Sequence, residues 1–192
     1  MKKWLLLFGS LVAGSVYANC QPQALTIPMQ LMAQRAAMIK QVAAYKWYHA
    51  HQHHATPYRA ERELVVLKHA QQIAKQQGLN PYKLMVFVQV QMDLSKLIES
   101  YWIEHWNNPN TPEQEKPNAH TIVSLNTLRM TLGKLDAKLY PAIKDALPKI
   151  QQCPLTAIQP IYQHAFAPIQ GIAQHPNYGT VYLQALKDLA GS

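Results

Sequence analysis

The chain has 192 residues, 48% hydrophobic and 15% charged, with a formal charge of +8. That is enough for one domain with a sizeable core. Its basic balance suits anionic partners, but the lysines are spread along the chain rather than gathered in runs, which argues against a nucleic-acid surface.

Residues 1–18 read as a secretory signal peptide. Lys2 and Lys3 open it, Trp4 to Val12 is apolar, and Val16-Tyr17-Ala18 carries small-residue cleavage chemistry. The apolar run is too short for a good membrane span, and no later segment approaches one, so no stable membrane anchor is expected. Cleavage near Ala18 removes two lysines and no acids, leaving 192 − 18 = 174 residues and a charge of 8 − 2 = +6. A periplasmic or secreted location follows, and it makes nucleic acid a poor partner. A lipidated cysteine at Cys20 is disfavoured, because Asn19 and Tyr17 occupy positions that normally hold a small and an aliphatic residue. Cys153 is the other cysteine, and two cysteines in an oxidising compartment most simply form one disulfide.

Residues 19–192 then read as one all-α domain, a single helical bundle of about six helices. Pro28 sits in the first turn of a helix running to about His51. Thr56-Pro57 starts a second helix and Gly78 stops it. Asn80-Pro81 starts a third, which ends near Trp106. Asn107 to Asn118 is a Pro- and Asn-rich loop. A fourth helix spans about Ala119 to Tyr140, where Pro141 kinks or ends it. Shorter helices follow at Leu155–Phe166 and Tyr178–Leu189.

Three of these helices carry polar groups on faces that are otherwise apolar. Gln91, Ser95 and Glu99 fall at i, i+4 and i+8, in line with Leu84, Val88 and Trp102. A buried carboxylate needs cations opposite it. Arg35, Ile39, Val42 and Lys46 form one stripe on the first helix. Arg62 leads a face with Val65, Val66, His69 and Ile73 on the second. A cationic pocket inside a bundle suggests a small, highly anionic ligand. Tyr45, Trp47, Tyr48, Tyr101, Trp102 and Trp106 read as packing aromatics.

These residues resemble the all-helical chorismate mutases, specifically their secreted, periplasmic class. The resemblance is carried by Val42-Ala43-Ala44-Tyr45-Lys46-Trp47, by Arg62-Glu63 with Leu67, by Gly78-Leu79-Asn80-Pro81, and by the run from Phe87 through Gln91, Ser95, Ile98 and Glu99 to Trp106. It covers about residues 28 to 130, and the ungapped spacing from Arg62 to Trp106 makes it specific. It implies an isomerase that rearranges chorismate to prephenate without cofactor or metal, and a homodimer whose active sites each lie within one protomer. By resemblance Lys46 and Glu99 are catalytic and contact the ether oxygen of the breaking bond. Arg35 and Arg62 hold substrate carboxylates, Glu63 helps orient the substrate hydroxyl, and Ser95 lies near a carboxylate. Glu99 can stabilise that oxygen only as a donor, so its working form is protonated and turnover is faster at mildly acidic pH.

The pattern departs in three places. The secreted class supplies a further arginine after the Pro-rich loop, where this chain has Ala119-His120-Thr121-Ile122-Val123-Ser124. His120 is the nearest substitute, and Lys116 could reach in from the loop. Arg129 lies nine residues further on, roughly 13 Å along a continuous helix, which makes it a poor direct replacement. Arg59 stands one turn before Arg62 where relatives often carry an acid, and the stretch from His49 to Pro57 is longer than in compact relatives. Two other functions fit parts of the sequence: a non-catalytic exported anion-binding protein on the same scaffold, and a metal-binding protein using His49, His51, His53 and His54.

Overall fold

Asn80 accepts a hydrogen bond from the Lys83 backbone N–H through its side chain, and Pro81 takes the first turn, so α4 (Pro81–Asn107) starts where the cap chemistry puts it. The computed structural model describes residues 19–49 and 60–190. Besides α4 these hold α1 (Thr26–Ala37), α2 (Ile39–His49), α3 (Ala60–Gln77), α5 (Leu125–Ile150), α6 (Leu155–Phe166) and α7 (Tyr178–Asp188), with no strand among the described residues. The all-α reading therefore holds. Residues 1–18, read from sequence as a signal peptide, and the Thr56-Pro57 cap lie outside the described residues.

The single long first helix of the sequence reading is two helices separated by Met38. Met38 keeps helical dihedrals, and its carbonyl accepts from both Gln41 and Val42, so the polar stripe passes through the junction unbroken. Gly78 ends α3 with φ +66°, a conformation glycine adopts without steric cost. The N–H of Leu79 then closes on Ala74 O at 2.9 Å, which satisfies an orphan carbonyl of the last turn.

The largest differences fall in α5. It begins at Leu125, not Ala119. Asn118 and Thr121 form a hydrogen-bonded turn before it, and Ser124 caps it by accepting from Thr127 N–H at 3.1 Å. It also continues through Pro141 and Pro148 to Ile150. Proline inside a helix costs about 3 kcal/mol, and Leu139, Tyr140, Ile143, Ala146, Leu147 and Ile150 offset this by burying one continuous face.

The helix α4 is central. Its Leu84, Phe87, Val88, Leu94, Ile98, Trp102 and Trp106 are buried, and it packs against α2, α3 and α7. The helix α1 packs on α5 and α6. Cys20 and Cys153 are joined, tying the start of the described chain to the turn before α6 across a separation of 133 residues. Closing a loop of that size stabilises by at most about 4–5 kcal/mol in the chain-entropy account. No helix among the described residues is long and apolar enough to cross a membrane.

Candidate active site

The stripe Arg35-Ile39-Val42-Lys46 lies along one face of α1 and α2 and lines a cavity of about 180 Å³. Opposite it, α3 contributes Arg62, Glu63 and Val66, α4 contributes Met92, Ser95, Lys96 and Glu99, and α5 closes the wall with Leu125, Leu128, Arg129 and Leu132. Arg35, Lys46, Arg62, Glu63, Ser95 and Glu99, distant in sequence, are thus brought to one place.

On the cavity wall Lys46 Nζ donates to Glu99 Oε2 across the α2–α4 interface. The Lys46 side chain is 15% exposed and that of Glu99 8%, so water screens this pair poorly. Ser95 Oγ donates to the Gln91 carbonyl one turn earlier, at 2.9 Å, which fixes its rotamer at the cavity wall. Gln91, read from the sequence as part of the same row, turns away. Its Nε2 meets Tyr182 Oη on α7 at 3.2 Å.

Arg35 is anchored from behind. Its Nε donates to Asp136 Oδ1 on α5 at 3.0 Å, with both side chains mostly buried. Burial, the largest single influence, draws the guanidinium down, but the charge and hydrogen bond of Asp136 together with Tyr140 and Tyr182 outweigh it and hold Arg35 above its ordinary range. Lys96 is a second addition to the residues read from sequence. Its Nζ lies 3.0 Å from Glu63 Oε1 and 3.1 Å from Asp93 Oδ1, so it fixes Glu63 at the cavity edge. Partial desolvation tends to lower Lys96, and the two carboxylates reverse that and raise it.

Arg62 and Arg129 face the same space from α3 and α5, and both are exposed. Arg62 is held below the usual arginine range, first by desolvation and then by the like charge of Arg129.

His120 is not brought to this cavity. It is exposed in the turn before α5, where its backbone N–H donates to Asn118 Oδ1 at 3.0 Å. Residues 119–124 are non-helical, so the nine residues from His120 to Arg129 do not translate into roughly 13 Å of axial rise. Lys116 pairs with Glu113 and lines a separate surface hollow with Trp47 and Tyr48. His49 packs on Tyr45 at a ring distance of 4.3 Å; His51, His53, His54 and Arg59 lie outside the described residues. The aromatic residues pack as read: Trp47 meets Trp106 edge-on at 6.1 Å and donates to Asn107 Oδ1 at 2.8 Å.

Five side-chain cations and two carboxylates on one apolar cavity can bind a compact polyanion and concentrate donors on one of its oxygens. Residues 29–100 match the family model "Chorismate mutase type II". Through these residues the chain is similar to the all-helical chorismate mutases. A monofunctional chorismate mutase from Enterobacter agglomerans is 32% identical over 114 residues, which are 59% of this chain and 58% of that protein. The chain therefore matches little more than half of this curated relative's length. Two solved chorismate mutase structures share the fold. That from Burkholderia phymatum has a TM-score of 0.63 at 19% identity, covering 88% of this chain and 96% of its own. That from Burkholderia thailandensis has a TM-score of 0.60 at 20% identity, covering 88% and 99%. The residues matched to the chorismate mutase model include Arg35, Lys46, Arg62, Ser95 and Glu99, whereas Arg129 and Asp136 lie beyond it.

Proposed function

We propose that this chain is a chorismate mutase, an isomerase that rearranges chorismate to prephenate. The observation that carries the reading is the Lys46–Glu99 pair on the wall of the arginine-lined cavity. Chorismate carries two carboxylates and one ether oxygen. In the rearrangement the C–O bond breaks as a C–C bond forms within the same molecule, and no group enters or leaves. Such a step needs no nucleophile. It needs the substrate folded into its reactive shape and the negative charge growing on the ether oxygen stabilised.

Each requirement has a residue. Arg35 and Arg62 suit the carboxylates, since a guanidinium offers a flat fork of donors. Asp136 supports this by fixing the direction of Arg35. Lys46 supplies a point charge to the ether oxygen. Glu99 takes the other side of that oxygen as a protonated donor, so substrate entry exchanges the Lys46–Glu99 contact for one contact from each to the substrate. Ser95 offers a hydroxyl near a carboxylate. Glu63, held by Lys96, offers an acceptor for the substrate hydroxyl. A non-catalytic anion-binding protein would use the arginines equally well but has no need of a lysine–glutamate pair between them.

The reading extends to cell location and assembly. An exported enzyme is supported by the character of residues 1–18 and by the Cys20–Cys153 bond. A homodimer is supported by the exposed apolar side chains Leu64, Val65, Tyr82 and Val86 on α3 and α4. The test of the activity is direct. Purified mature chain mixed with chorismate should abolish the substrate's ultraviolet absorbance and yield prephenate, and unchanged chorismate would reject the assignment.

A further inference from the structure

A second hollow, of about 540 Å³, opens between the end of α2 and the loop that leads to α5. It shares no lining residue with the first cavity. Lys46 faces the first cavity. Trp47 and Tyr48 follow it on α2, each turned about 100° further round the helix, and they line the hollow instead. The loop supplies Glu113, Lys116, Pro117 and Asn118. Both walls are held before anything binds. Trp47 Nε1 donates to Asn107 Oδ1 at 2.8 Å, and its ring meets Trp106 edge-on at 6.1 Å. On the loop, Thr111 is buried and donates to the His105 carbonyl, and the Lys116 backbone N–H donates to Glu113 O at 3.1 Å. Asn118 is fixed by the turn it forms with Thr121. A site with fixed walls loses little freedom when a ligand enters.

The hollow holds one cation whose partner is exchangeable. The Lys116 side chain is 17% exposed, whereas Glu113, which it meets at 2.6 Å, is 84% exposed. An ion pair with one end in water contributes little. Glu113 can therefore turn out into solvent while Lys116 stays between the walls. What remains is an indole, a phenol ring, a proline and one ammonium. Two aromatic side chains favour a flat ring, through offset or edge-on packing. The ammonium favours a carboxylate, through a charge-assisted hydrogen bond. Glu113 and Glu115 on the same loop disfavour a second negative charge on the ligand. The volume falls within the range of small-molecule sites, about 300–1,000 Å³. We propose that this hollow is a second ligand site, separate from the chorismate cavity, and that it binds a planar aromatic monocarboxylate. The inference does not depend on the chorismate mutase reading.

The experiment titrates 2-naphthoate into the mature wild-type chain by calorimetry, beside 2-naphthamide, which lacks the charge, and cyclohexanecarboxylate, which lacks the flat ring. The same titrations are run on Lys116→Ala, Tyr48→Ala and Arg35→Ala, with a melting curve for each. 2-Naphthoate should bind saturably, and at least about tenfold more tightly than 2-naphthamide. Lys116→Ala should weaken it by about 10- to 100-fold, and Tyr48→Ala by about 2- to 10-fold. Arg35→Ala should leave it unchanged, and Lys116→Ala should turn over chorismate within about twofold of wild type. Amide shifts of the wild-type chain, read by NMR, locate the ligand without any variant and should move at residues 47–48 and 113–118. Absence of saturable binding overturns the proposal, as do equal affinities for 2-naphthoate and 2-naphthamide. So does binding that survives Lys116→Ala and is lost in Arg35→Ala, which places the anion in the first cavity. A chain that takes 2-naphthoate into the hollow and leaves chorismate unchanged keeps this inference and rejects the proposed function.

Discussion

Asp136 is the residue whose removal should be felt in both stability and activity. Its carboxylate holds Arg35 at 3.0 Å, with side-chain exposures of 18% and 14%. Truncating one partner of a fully buried ion pair costs about 3–5 kcal/mol, because the other charge is stranded in a poor solvent. Exposed pairs are worth about 0–1 kcal/mol. This pair is mostly buried but borders an open cavity from which water can reach Arg35, so Asp136→Ala should cost about 2–3 kcal/mol. For a chain of this size that lowers the melting temperature by about 5–10 °C. The functional effect comes through Arg35. A guanidinium without its anchor samples several directions, and misplacement by about 1 Å can lower a rate about 100-fold. Thermal unfolding followed by circular dichroism and kcat/KM on chorismate report the two effects. The isostere Asp136→Asn retains an acceptor without the charge and should fall between wild type and alanine in both. If Asp136→Ala melts with wild type and turns over at the wild-type rate, Arg35 does not depend on its anchor and the substrate clamp is wrongly described.

Two further outcomes follow from the same contacts. Glutamine donates at every pH, whereas Glu99 donates only when protonated. The activity of Glu99→Gln should therefore be flat toward alkaline pH while that of wild type declines; a flat profile in both would reject the donor role. Tyr140, Tyr162, Tyr178 and Tyr182 are all raised by burial, Tyr162 to about 12 and the others further. In each the folded value exceeds the unfolded value near 10, so the folded state retains the proton more tightly. The stability they contribute is complete below about pH 10 and is lost as pH rises above it, each ionised tyrosine steepening the decline by up to about 1.4 kcal/mol per pH unit. Urea unfolding at pH 8, 10 and 11 should show the fall, and Tyr162→Phe should reduce it; constant stability across that range would contradict the burial of the tyrosine cluster.

The polar stripes show why part of this site was legible in the sequence. Arg35, Ile39, Val42 and Lys46 share one helical face by spacing alone, and all four line the cavity. The row Ser95–Glu99 on α4 behaves likewise, while Gln91 departs because the side chain of a helix flank can swing toward either neighbour, and Tyr182 offers a partner. The α5 residues carried the same kind of signal. Leu125, Leu128, Arg129, Leu132, Asp136 and Leu139 follow helical spacing, with a cation and an acid embedded in an apolar row. The signal was hidden by a misplaced helix start: Ser124 is the cap, and the preceding Asn118–Thr121 turn satisfies its own backbone. Pairings such as Arg35–Asp136, separated by 101 residues, depend on how α1 and α5 pack and are not encoded in any local pattern. The same holds for the continuation through Pro141, where tertiary burial outweighs a local preference.

The central claim is that Lys46 and Glu99 act on a single oxygen of a bound dianion. The most direct test is kcat/KM of Lys46→Ala on chorismate, beside a melting curve that shows it folded. Removal of one donor to a developing oxyanion costs about 3–4 kcal/mol, so the account predicts a fall of at least about 100-fold in a folded protein. A folded Lys46→Ala chain that rearranges chorismate at the wild-type rate would contradict it.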